Sequence, residues 1–164
     1  MYRTYPAALA EIGILAAMIT ILGAITLPSL LPGLEFQLSA PLAVAICAAF
    51  GFKKYILAGI LSSAIGLMLG THNLFNVAIA MQFRLVVGLI LWLGGPRLFF
   101  ILIAGPIASL LARLTLSLFV GKAALALIAA ALPGMAFTML TAPVFTRILL
   151  RIQNMRGQQL SQHS

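Results

Sequence analysis

Long apolar runs, broken by single prolines, glycines and short basic turns, organise this chain. The first run covers residues 7–27, opened by Pro6 and stopped by the segment LPSLLPG. A second covers residues 40–52. Pro41 stands at its helix start, where a missing N–H leaves nothing unsatisfied, and Lys53 and Lys54 end it. The third run, residues 55–69, closes at Gly70, and the fourth, residues 74–93, closes at GGPR. A fifth covers residues 98–120; GKAALALIAAAL then predicts a partial helix before a sixth run at residues 133–150 and the polar tail RIQNMRGQQLSQHS. About twenty apolar residues in a helix match the ~30 Å hydrocarbon core of a bilayer. The second and third runs are short for a crossing, which predicts extended ends, a thin local membrane or tilted neighbours. The pattern predicts an all-α membrane protein of six transmembrane helices, with residues 1–164 forming one integral domain.

Composition supports that pattern. The 164 residues are 63% hydrophobic and only 7% charged, with a mean hydropathy of +1.16, whereas a soluble domain carries about a quarter charged residues. The net charge of +8 does not point to nucleic acid, because the basic residues sit between and at the ends of apolar runs rather than among aromatics on a polar face. Cys47 lies inside the apolar run LAVAICAAF, so no disulfide framework or thiolate metal site is expected. MYRTYP leads into an apolar run longer than a signal-peptide core, which predicts a first span and not a cleaved leader. Six spans place both termini on one side. Arg3, Lys53, Lys54, Arg97, Arg147, Arg151 and Arg156 then share that side, Lys122 falls opposite, and Arg84 and Arg113 lie inside spans. The positive-inside rule makes both termini cytoplasmic and turns the loops PSLLPGLEFQLS and GTHN outward.

Chemistry has few carriers. The acids are Glu11 and Glu35 and the histidines His72 and His163, far apart in sequence. No HExxH, GxSxG, carboxylate pair or GxxxxGK[ST] loop occurs, so the chain is expected to be neither an enzyme nor itself an ATPase, and no cofactor or metal is expected. Ser62 and Ser63 read as small residues at a helix contact. Glu11 reads as one half of an ion pair, with Arg3 or Arg147 as candidate partners. Ala10, Gly13, Ala17, Thr20 and Ala24 recur at spacings of three and four, a stripe that permits close helix approach. Such a stripe serves either an internal contact or a flat docking face for another protein.

Arg84 is the most informative residue. It lies in the middle of the fourth run, where a charge costs about 2.5–3.5 kcal/mol on insertion scales and usually faces a cavity or a partner. Asn73 shares its helical face, Asn76 and Ala80 flank that face, and Gln82 points elsewhere. Arg113, in the fifth run, reaches toward the same outer half. Together with Glu35 and Gln37 of the outward loop, these residues make a candidate polar site open to the outside, against the alternative that Arg84 pairs with helix-end carbonyls and Arg113 snorkels.

The run PGLEFQLSAPLAVAICAAFGFKKYILAGILSSAIGLMLG, the small-residue stripe of the first helix and ALPGMAFTMLTAPVFTRILLR resemble the substrate-binding S components of energy-coupling factor (ECF) transporters. The resemblance covers nearly the whole chain and rests on a pattern, not an invariant motif. It implies a multi-pass protein of the bacterial cell membrane that captures a small vitamin or micronutrient from outside. It also implies docking on a transmembrane coupling protein served by two ATPase subunits. In that family an Ala-xxx-Ala motif on helix one contacts the coupling protein; the match here is Gly13-xxx-Ala17, continued by Thr20 and Ala24, and departs from strict alanine. By location, family substrate contacts fall on Glu35, Gln37, Asn73, Asn76, Arg84, Arg113 and Thr138. The two arginines favour an anionic substrate group. The rival readings are a non-transport scaffold of a cell-envelope complex resembling the MreD family, which needs no polar cavity, and a self-sufficient small transporter or channel.

Overall fold

The computed structural model of the protein describes residues 5–28, 35–120 and 124–162. Six helices are present among them: α1 (Tyr5–Ala24), α2 (Ser39–Phe50), α3 (Phe52–Met68), α4 (Leu74–Gly94), α5 (Leu98–Val120) and α6 (Ala124–Gln162). Four helical stretches, Pro6–Ala24, Leu74–Gly94, Leu98–Leu116 and Ala131–Met155, are long and apolar enough to cross a bilayer. The chain is a multi-pass, predominantly helical membrane protein.

The segment after α1 departs from the all-α expectation. The helix stops at Ala24, short of the expected residue 27, and β1 (Thr26–Pro28) pairs antiparallel with β2 (Glu35–Gln37) in the register Thr26↔Gln37, Leu27↔Phe36, Pro28↔Glu35. Pro28 is the physical reason: a proline biases the residue before it away from the α region, and the short apolar stretch before it leaves the helix as a strand.

α2 solves the problem posed by its length. Twelve residues rise only ~18 Å, too short for a bilayer, but every residue from Pro41 to Cys47 is buried. A helix apolar all round is a core helix, and α2 packs against all five other helices. It is surrounded by protein instead of lipid. A single residue, Gly51, joins it to α3 at φ +83°, a left-handed backbone suited to glycine, and its N–H donates to the Cys47 carbonyl at 3.0 Å.

The turn from α3 to α4 is equally well specified. Gly70, at φ +69°, donates to the Leu67 carbonyl, and Thr71 donates to the Gly66 carbonyl at 3.0 Å, the double bond of a Schellman cap. Asn73 then caps α4, its side-chain oxygen accepting from the Asn76 N–H at 2.7 Å.

α6 begins nine residues before the expected sixth span and carries Pro133 and Pro143 inside it. From Ala124 on, the segment expected as a partial helix is continuous with the span, because helix-breaking prolines are tolerated where neighbouring helices re-satisfy the freed backbone. At its other end the helix runs to Gln162 through the expected polar tail, whose Arg, Gln, Met and Leu residues are good helix formers.

The helices alternate in direction. The ends of α1, α3 and α5 and the starts of α2, α4 and α6 surround a cavity of about 890 Å³. The end of α2, the start of α3 and the end of α4 line a smaller one of about 250 Å³. The start of α1 and the end of α6 therefore lie toward the second end of the bundle. There Lys54 Nζ meets Glu11 Oε1 at 2.8 Å, with Glu11 only 7% exposed, and sits 5.7 Å from the Phe50 ring centroid. Glu11 is thus in an ion pair, as expected, but its described partner is Lys54; Arg3 lies outside the described residues, as do Lys122 and His163.

Candidate ligand-binding site

Arg84 reaches the large cavity from the middle of α4. It is 7% exposed, and its Nη1 donates to Ser63 Oγ at 2.8 Å and lies 3.7 Å from Met81 Sδ. Among the described residues no carboxylate pairs with it. Its seat is made by Gly59 on α3: a Cβ there would come to 2.5 Å from Arg84 Cδ and 3.0 Å from Cζ, and closer still to Nε. The arginine stem lies flat on the glycine, and the guanidinium runs along the helix to the serine one turn further on. The arginine is thereby buried against α3, with the Ser63 hydroxyl as its hydrogen-bond acceptor.

The spacing that builds this floor is visible on α3. Tyr55, Gly59, Ser62 and Gly66 follow at i, i+4, i+7 and i+11, one face of a helix, and all four are buried. Ser62 accepts a hydrogen bond from Thr20 Oγ1 at 2.9 Å, which ties α1 to the same face. Gly66 leaves room for the His72 imidazole, which would overlap a Cβ there. The Schellman cap folds the chain back so that Thr71 and His72 reach the cavity rim. The exposed residues Leu69, Thr71, His72, Phe75 and Asn76 mark its mouth and the buried Tyr55, Ser62 and Arg84 its floor. Asn76 and Arg84 are eight residues apart, so the cavity runs ~12 Å along α4.

Arg113 of α5 lines the same cavity, half-buried and without a hydrogen-bond partner among the described residues. Two guanidinium groups therefore share one concave space with hydroxyls from Thr20, Ser39, Ser62 and Ser109 and apolar walls from Ile19, Ile79, Phe83 and Phe137. Small-molecule sites have this character, with volumes of about 300–1,000 Å³, mostly apolar walls and a few placed polar groups. Two positive groups without a described counter-charge favour an anion.

The other expected site residues fall in different places. Thr138 lines the cavity, is buried, and donates to the Gly134 carbonyl at 2.9 Å; its methyl group packs where Gly105 of α5 has no side chain. Asn73 does not line the cavity and caps α4. Glu35 and Gln37 have their backbones in β2, and their side chains lie outside the described set. Gln82 points away, bonding Thr115 Oγ1 at 2.6 Å and the Leu111 carbonyl across to α5. The stripe on α1 divides: Ala17 is exposed and Gly13 has nothing within 4 Å of an added Cβ, whereas Thr20 and Ala24 line the cavity. Tyr55, Ser63 and His72 were not singled out by sequence reasoning as site residues. The i, i+4, i+7, i+11 run of small and polar residues on α3 was the available signal.

The chain matches no protein-family model and no solved structure. It is 46% identical over 151 residues to Protein BioX of Lysinibacillus sphaericus, an alignment that covers 92% of this chain and 90% of that protein. At that identity over nearly the full length of both proteins, the chain belongs to the BioX family.

Proposed function

We propose that this chain is the substrate-binding membrane subunit of an ATP-driven ECF-type importer, capturing a small anionic vitamin or similar micronutrient from outside the cell. It acts by binding, not by catalysis. Six helices cross or pack within the bacterial cell membrane, both termini are cytoplasmic, and the large cavity opens outward. Release into the cell needs a separate transmembrane coupling protein and two ATPase subunits, since this chain carries no phosphate-binding loop.

One observation carries the reading: Arg84 is buried at the floor of a ligand-sized cavity with no described carboxylate to neutralise it. A scaffold has no use for that arrangement, whereas a capture protein offsets the buried charge when its anionic ligand binds. The resemblance of nearly the whole chain to ECF S components supports the partners, and the half-buried Gly13, with open space where a Cβ would stand, and the exposed Ala17 supply a flat surface for one of them. Native mass spectrometry of the purified protein tests the proposal. A bound anionic species of vitamin size is expected on the wild type and absent from Arg84→Gln. A wild type that carries and accepts no small anion would remove it.

A further inference from the structure

One polar atom at the cavity floor is not used by the fold. Tyr55 is fully buried and lines the cavity, yet its hydroxyl has no hydrogen-bond partner among the described residues. A buried hydroxyl left unpaired is destabilising, and replacing it by an apolar group of the same shape is neutral or better. Folding alone would therefore be served by phenylalanine here.

Its position shows what else it serves. Tyr55 precedes Gly59 by one helical turn and Ser63 by two, on the face along which the Arg84 stem lies. A guanidinium has five N–H donors; Nη1 is engaged with Ser63 and Met81, while Nε and Nη2 make no hydrogen bond among the described residues. We infer that the Tyr55 hydroxyl and the free N–H groups of Arg84 form a mixed-donor seat for an oxyanion, a carboxylate or phosphate group of the ligand, at the closed end of the cavity. An ionised carboxylate offers two acceptor oxygens and a full negative charge to the guanidinium and the hydroxyl, whereas a neutral amide offers one carbonyl oxygen and no charge. Tyr55 is then a specificity-determining residue. This assignment rests on the anion-capture reading.

Binding to the full-length protein in detergent tests it, with hexanoate, hexanamide and inorganic phosphate as probes and thermal unfolding alongside calorimetry. Hexanoate is expected to bind and raise the wild-type melting temperature, and hexanamide to do neither. Tyr55→Phe should melt at or above the unliganded wild-type temperature and bind hexanoate about tenfold more weakly, the loss of one hydrogen bond to a charged group. Undiminished hexanoate binding by Tyr55→Phe, or a lowered melting temperature without ligand, overturns the assignment. If Arg84→Gln loses hexanoate while Tyr55→Phe keeps it, anion capture stands and only the tyrosine's role falls. If the wild type binds neither hexanoate nor phosphate, both readings fall.

Discussion

Substituting Gly59 by alanine separates the two jobs that α3 performs, because its effects on helix and site have opposite signs. As a helix-interior change, Gly→Ala favours the folded state by about 1 kcal/mol. At this position the added Cβ would overlap the buried stem of Arg84, at 2.5 Å from Cδ and 3.0 Å from Cζ. The arginine must move, and its bond to Ser63, 2.8 Å long, moves with it. A hydrogen bond to a charged group contributes about 1.5–3 kcal/mol, so the net result is a destabilisation of about 0.5–2 kcal/mol. The larger effect falls on the ligand. An arginine displaced from its seat loses the geometry of a charge-assisted contact, which weakens binding by roughly tenfold to a hundredfold at about 1.4 kcal/mol per decade. The assay is thermal unfolding in detergent together with calorimetric titration of hexanoate. Gly13→Ala is the control, since nothing lies within 4 Å of a Cβ there: it should gain the propensity term and bind as the wild type does. Gly59→Ala melting higher than wild type and binding normally would refute the account of how Arg84 is held.

Two further outcomes follow from the proposed membrane arrangement. A cysteine at Gln37 should label from outside intact cells while tags at both termini report from the cytoplasm; an externally accessible C-terminus would invert the orientation of the cavity. Replacing Gly13 or Ala17 with leucine should abolish coupled uptake and leave ligand binding to the isolated protein intact, because both positions face away from the bundle. Loss of expression and binding together would assign them to internal packing.

Different features of the molecule were legible in the sequence to different degrees, for physical reasons. The Asn73 and Gly95 caps bound α4 at Leu74–Gly94, within one residue of the expected 74–93, because cap and breaker residues act locally. The same local reasoning failed for α6: Pro133 reads as a start, but tertiary packing carries the helix through it. The short second run predicts a crossing with extended ends, a thin local membrane or tilted neighbours, and burial of every residue from Pro41 to Cys47 could be known only once five neighbours surrounded it. Arg84 stood out as a charge that needed an environment. Ser63, Gly59 and Tyr55, which supply that environment, lie 21, 25 and 29 positions earlier and look like ordinary residues of an apolar helix. Helical periodicity shows which of them share a face, but not which other helix that face meets.

The central claim is that Arg84 holds an anionic group of the ligand, and the Arg84→Lys and Arg84→Gln pair addresses it most directly. Lysine keeps the charge and loses the planar fork; glutamine loses both and removes a buried charge. Calorimetric binding of the anion released from the purified wild type should weaken in the order wild type, Arg84→Lys, Arg84→Gln, while all three proteins remain folded by thermal unfolding. Wild-type affinity in Arg84→Gln would contradict the claim and leave Arg84 as a structural residue bonded to Ser63.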